Sequence, residues 1–235
     1  MNTDAHIGMN IERVQERIRA AAARAERKAD EVTLVAVSKK FSVEAIRAAY
    51  AAGIRHFGES RVQEWEGKRP ELADFSAWWH FIGHLQSNKA KRAVQLFDRV
   101  DSVNSVELAR KLNDAAAEQN KRLPVLIEVK LGSETSKSGA KEADVPGLGE
   151  SILTMANLEL MGLMTIPPYF EEAWQGRPFF RQLRELRDDL AERMDWPLGV
   201  LSMGMSHDFE IAIEEGATEI RVGTAIFGER RARAV

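Results

Sequence analysis

Val32-Thr33-Leu34-Val35-Ala36-Val37-Ser38-Lys39-Lys40 is the stretch whose reading decides the fold. A run of apolar and β-branched residues stops abruptly at Ser38. Such a run predicts a strand buried on both faces, the habit of parallel sheets. Ser42-Val43-Glu44-Ala45-Ile46 follows, with Ser42 as N-cap and Glu44 in the first turn of a helix. Lys39 is thereby expected at the carboxyl end of a central strand, where strand–helix proteins bind ligands. A partly desolvated lysine there has a lowered pKa and attacks carbonyls to form a Schiff base. From this stretch alone the plainer reading, two solvated loop lysines, is favoured.

Outward from it the same unit repeats. Apolar runs at residues 54–57, 78–82, 99–103, 125–129, 158–166, 199–202 and 219–222 predict strands, most of them followed by a helical pattern. Gly53 and Gly216 stand as helix-ending residues. Ahead of the first strand, residues 7–28 carry apolar side chains at helical spacing. Eight strand–helix units with short links predict a single (β/α)8 TIM barrel over residues 31–230, with residues 1–30 as an extra N-terminal helix and 1–235 as one domain. A doubly wound sheet is the alternative for the same alternation.

Composition bounds the function. The chain has 235 residues, 44% hydrophobic and 29% charged, ordinary for a globular domain. Thirty-three basic residues against 36 acidic ones leave a net charge of -3, which offers no argument for nucleic acid or an anionic membrane as partner. There is no cysteine, which excludes disulfides, thiolate metal sites and a cysteine nucleophile. No apolar run is long enough to cross a bilayer and none resembles a leader, so a cytoplasmic protein is expected.

The strand ends carry the chemistry. They collect Lys39, Gly58-Glu59-Ser60, Gly83-His84, Ser136-Lys137-Ser138-Gly139, Met164-Thr165, Ser202 to Ser206, and Gly223-Thr224. Small loops after the seventh and eighth barrel strands can gather backbone N–H groups around a phosphate, with the hydroxyls of Ser202, Ser206 and Thr224 as further donors. Each alone reads as an ordinary tight turn; two at these positions favour an anion site. Arg221, two residues before Gly223, is expected to point inward beneath the turn, toward a ligand or a structural carboxylate. Lys137 reads as a solvated loop lysine or as an anion contact. Lys89-Ala90-Lys91-Arg92 reads as a solvated face. The histidines show no metal-ligand spacing, no metal site is expected, and His80 reads as a half-buried, satisfied side chain. A Schiff-base lysine, a phosphate cup and an inward arginine together specify pyridoxal 5′-phosphate (PLP).

The motifs AVSK (36–39), FGE (57–59), WHFIGHLQSNK (79–89), SKSG (136–139), GLMTI (162–166), LSMGMS (201–206) and RVGTAIFG (221–228) resemble the YggS/PROSC family of PLP-binding proteins, also called PLP homeostasis proteins. That family's barrel is similar to the N-terminal domain of alanine racemase, the type III fold of PLP enzymes. The resemblance implies a cofactor Schiff base on Lys39, Arg221 against the pyridine nitrogen, and Ser202, Ser206, Gly223 and Thr224 near the phosphate. Two positions depart from the family pattern. Ser60 stands where Asn is frequent, and Lys40-Phe41-Ser42 replaces Thr-Lys-Pro or Thr-Phe-Pro, adding a charge beside Lys39. The resemblance implies a carrier or buffer of PLP without turnover, expected as a monomer, with PLP-dependent apo-enzymes as candidate recipients. The alternative is an amino-acid racemase-like enzyme, for which Tyr169 is the candidate second acid–base group because the chain offers no room for the racemase's second domain.

Overall fold

The computed structural model describes residues 3–132 and 138–229. Ser136 and Lys137 lie outside the described residues, as does residue 230 at the end of the expected barrel. Nine strands run in chain order: β1 (Thr33–Val37), β2 (His56–Glu59), β3 (Trp78–Phe81), β4 (Arg99–Val103), β5 (Leu123–Lys130), β6 (Ala140–Lys141), β7 (Leu158–Thr165), β8 (Val200–Ser202) and β9 (Glu219–Val222). The α-helices are α1 (Thr3–Arg24), α2 (Val43–Ala51), α3 (Val62–Lys68), α4 (Ala90–Leu96), α5 (Val106–Ala117), α6 (Val145–Leu153), α7 (Arg177–Met194), α8 (Phe209–Glu214) and α9 (Thr224–Phe227). Eight strands pair in parallel in the order β1-β2-β3-β4-β5-β7-β8-β9, and β9 pairs back onto β1. The sheet closes, so the fold is the TIM barrel and not the doubly wound sheet.

Local signals place the elements. Ser42 caps α2 by accepting from Ala45 N at 3.4 Å, and Ser105 caps α5 by accepting from Leu108 N at 3.2 Å. The second strand begins later than the apolar run at 54–57 suggests. Gly53 (φ +96°) donates to Tyr50 O and Ile54 N donates to Ala49 O, the two bonds of a Schellman motif. The helix end thus claims Ile54, and pairing starts at His56. The two-residue β6 is not foreshadowed by any apolar pattern. It continues the ladder along β5, with Val129 opposite Ala140, past the level where β4 ends.

The core is a shell between strands and helices. Ala36, Phe57, Phe81, Val125, Leu163, Leu201 and Ile220 face outward into it, fully or nearly fully buried. α1 lies over the seam between the first and last units, against α2, α8 and α9. It buries Ile7, Ile11, Val14 and Ile18 there, while Arg17 grips Glu210 through two bonds and Asn10 donates to Ile226 O at 2.9 Å. Among the described residues no helix is long and apolar enough to cross a membrane. The expected solvated face at 89–92 carries surface pairs, Lys91–Glu118 and Arg92–Glu66.

Candidate functional site

Strand register brings the sequence-predicted residues to one end of the barrel. β1 and β9 are neighbours, with Val35 opposite Arg221 and Ala36 opposite Val222. Lys39, just past β1, and Gly223-Thr224, just past β9, therefore leave the sheet side by side. Lys39 is half-buried, and Ser38 before it is fully buried. A Cβ on Gly223 would stand 3.4 Å from Val37 O, an ordinary contact, and its φ of -113° is open to any residue. Neither packing nor conformation accounts for glycine at this position. Gly204 differs: its φ is +92°, and a Cβ there would meet Ala212 Cβ at 2.6 Å.

Arg221 is buried and inward, as expected. Its guanidinium donates to Ser202 Oγ and to Thr165 O, each at 2.7 Å. Burial pulls its pKa down and the carboxylates of Glu219, Asp101, Glu128 and Asp208 pull it back. An arginine starts so high that it stays a cation at neutral pH. Ser202 is fully buried and serves Arg221, one layer beneath the rim. Ser206 lies on the rim. Its Oγ accepts from Gly223 N (3.3 Å) and Ala225 N (3.2 Å), so it joins the loop after β8 to the first turn of α9. Thr224 is exposed beside these amides.

Glu128 and Lys68 escaped the sequence reading, and Glu59 entered it only as part of a strand end, with no partner assigned. Glu128 on β5 is buried and accepts from Ser138 Oγ at 2.8 Å, and among the described residues its second oxygen has no partner; burial pushes its pKa up. Glu59, at the end of β2, is fully buried and bonded to Ser38 Oγ at 2.8 Å. Lys68, from α3, reaches back to both. Their only trace in sequence is the Glu of FGE; Lys68 reads as a surface helix lysine. Ser60 is packed beneath Gly83, where a Cβ would run into Ser60 O at 2.3 Å. Lys40 is exposed, with φ +67°.

Deeper in the barrel, charges replace apolar filling. Arg99 bonds Asp101 at 2.6 and 2.9 Å and Glu219 at 2.5 Å. Burial works against Asp101, but Arg99 and His80 hold its pKa well below the usual carboxylate range. His80 is fully buried rather than half-buried, because it points into the barrel from a central strand. Its Nε2 lies 3.0 Å from His56 Nδ1, and its Nδ1 lies 3.5 Å from Asp101, too long for a hydrogen bond. Ligand-type atoms of His80, Asp101 and Glu219 lie within 4.8 Å of one another. They come from three strands, which linear spacing cannot register. Arg99 already supplies a cation to both carboxylates.

The family profile described as alanine racemase, N-terminal domain, matches residues 9–231. The pyridoxal phosphate homeostasis protein of Aquifex aeolicus is 45% identical over 221 residues, 94% of this chain and 97% of its own. That of Escherichia coli K12 is 40% identical over 233 residues, 98% of each. The chain belongs to the pyridoxal phosphate homeostasis protein family. The solved structure of PipY from Synechococcus elongatus PCC7942, with PLP bound, superposes with a TM-score of 0.81 at 40% identity, covering 92% of this chain and all of that one. Alanine racemase of Clostridium difficile, 12% identical with a TM-score of 0.75 over 98% of this chain and 58% of its own, shares the fold. The homeostasis family and the racemase thus have the barrel in common, which agrees with the closed sheet described above.

Proposed function

We propose that this chain binds PLP at the carboxyl end of its barrel, through Lys39, and acts in PLP homeostasis as a reservoir or carrier. The observation that carries the proposal is the β1–β9 register, which brings the lysine after β1, the buried Arg221 and the Gly223-Thr224 turn side by side. The donor set fits the cofactor. PLP supplies an aldehyde for an amine, a pyridine nitrogen that can accept a hydrogen bond, and a phosphate for N–H and O–H donors. Lys39 is the amine at the mouth. Arg221, kept cationic and held by Ser202 and Thr165, presents a donor rather than an acid to the ring nitrogen, so the ring is not made a strong electron sink. For the phosphate the turn offers the hydroxyls of Thr224 and of Ser206, the latter held in place by the Gly223 and Ala225 amides that it accepts from.

The names of the relatives support homeostasis over turnover. The structure adds that Tyr169, the candidate second acid–base group, is 76% exposed, its ring 5.6 Å from that of His207. A group so hydrated is poorly suited to proton transfer at a buried carbon. Delivery to apo-enzymes inside the cell, from a monomer, is the finer part of this proposal.

The test is the absorption spectrum of the protein loaded with PLP, before and after borohydride, with the labelled peptide identified. Label is expected on Lys39, and Lys39→Ala is expected to lose it while some PLP remains through the phosphate contacts. Label on Lys40 or Lys137 instead would move the site. Lys39-dependent exchange of an amino acid's α-hydrogen in deuterated water, at enzyme-like rates, would replace the carrier by an enzyme.

A further inference from the structure

Behind Lys39 lies a group of charged side chains that the binding of PLP as described does not use. Lys68 ends α3 with its side chain 13% exposed. Its ammonium meets Ser38 O at 3.1 Å, Glu59 Oε1 at 2.9 Å and Glu64 Oε1 at 2.8 Å. An ammonium has three protons, and three acceptors take them. Lys68 is therefore spent as a cation and is no rival to Lys39 as a nucleophile.

What the group holds is the backbone on both sides of Lys39. Ser38 is fixed at three atoms: its N donates to Gly58 O at 3.0 Å, its Oγ to Glu59 Oε1 at 2.8 Å, and its O accepts from Lys68. On the other side, Glu64 accepts a short hydrogen bond from Lys40 N. Phe41 N closes the turn on Ser38 O at 3.1 Å, with Lys40 in the left-handed region at its third position. That is the position where a type II turn prefers glycine. The turn persists with a lysine there because Glu64 ties down its amide. Lys39 occupies the corner.

We propose that Lys68, Glu59 and Glu64 are positioning residues: they clamp the 38–41 turn so that the Lys39 amine is aimed into the mouth before the cofactor arrives. The proposal rests on the reading of Lys39 as the PLP-bearing lysine. Its physical content is effective concentration, since an amine on a fixed corner meets a phosphate-anchored aldehyde more often than one on a mobile loop. Lys68 pairs with both carboxylates of the clamp, Glu59 and Glu64. Burial alone would raise Glu64, but Lys68 and the Lys40 amide hold it below its ordinary value, whereas burial pushes the Glu59 carboxyl up against the pull of Lys68 and Ser38.

The test compares two ligands on four proteins: wild type, Lys68→Met, Lys68→Arg and Glu64→Ala. PLP capture is followed by stopped-flow absorbance and borohydride trapping at Lys39. Pyridoxine 5′-phosphate, which keeps ring and phosphate but lacks the aldehyde, reports the rest of the mouth. Lys68→Met and Glu64→Ala are expected to slow capture by about 10-fold or more. Pyridoxine 5′-phosphate affinity is expected to stay within about 2-fold of wild type, and Lys68→Arg to recover part of the rate. Unchanged capture in the folded variants overturns the clamp, and so does an equal loss of both ligands, which marks a collapse of the whole mouth. If Lys68→Met does not fold, Glu64→Ala decides by the same criteria. Wild-type protein that captures PLP elsewhere than Lys39 overturns the site reading itself, and the clamp with it.

Discussion

Thr224 opens α9 with its side chain exposed, next to two backbone amides that converge on Ser206 Oγ. Among the described residues its hydroxyl makes no hydrogen bond, so its removal is expected to read out ligand binding. A hydrogen bond to a charged group contributes about 1.5–3 kcal/mol. Thr224→Val is therefore expected to weaken PLP retention about 10- to 100-fold while leaving borohydride labelling of Lys39 intact. Equilibrium dialysis measures it, and unchanged retention would place the phosphate elsewhere. The positions of Lys39 and Thr224 at strand ends and the inward side of Arg221 were legible because strand period and turn chemistry are local; the role of each was not. Glu128 and Glu59 were not, because what distinguishes them is a partner on another strand: Ser138 for one, Ser38 and Lys68 for the other. The pattern also hid that Ser202 and Ser206, four residues apart, serve different layers of the mouth.

Among the elements, α1 has the most to say. Its apolar stripe was plain in sequence, yet nothing there told which face of the barrel it covers. It bridges α2, α8 and α9, and its Asn10 reaches a backbone carbonyl of α9, the helix that carries Thr224. Ile11, 1% exposed, is central to that stripe. Ile11→Ala is expected to cost about 2–5 kcal/mol, the range for a large aliphatic cut back in a packed core. A urea titration measures it, and a loss under 1 kcal/mol would mean that α1 is not bound into the cooperative core. The strand ends were harder to read than the strands. At Gly53 the helix keeps two more amides than the apolar pattern suggests, and β6 is a product of the ladder left open above β4, not of its own sequence.

At the scale of the whole molecule, apolar material surrounds the barrel and charges occupy its axis. Arg99 pairs with two buried carboxylates, so Arg99→Met is expected to cost about 3–5 kcal/mol in a denaturant titration, the penalty for stranding a buried charge. The base of the axis should also respond to acid. Burial, reinforced by His80, lowers the His56 pKa from 6.5 to about 4. Between those values the unfolded chain takes a proton that the folded chain refuses. This contribution to stability is thus complete above about pH 6.5 and is lost as pH falls toward 4. The buried Glu59, Glu128 and Asp208, whose pKa values are raised, act in the opposite sense over the acid range. His56→Gln therefore isolates the histidine: its melting temperature should fall less between pH 7 and pH 5 than that of wild type, and parallel slopes would refute this. Closure of the barrel has one more consequence, in time rather than space. Lys39 follows β1 and the proposed phosphate turn follows β9, and the bond from α1 to α9 joins residues 216 apart in sequence. Synthesis proceeds from the N-terminus. On the proposed site a nascent chain has Lys39 long before it has Gly223 and Thr224, so specific capture is expected only once β9 has been made and has closed onto β1, and fragments ending before β9 should trap PLP at Lys39 no better than an unfolded peptide does.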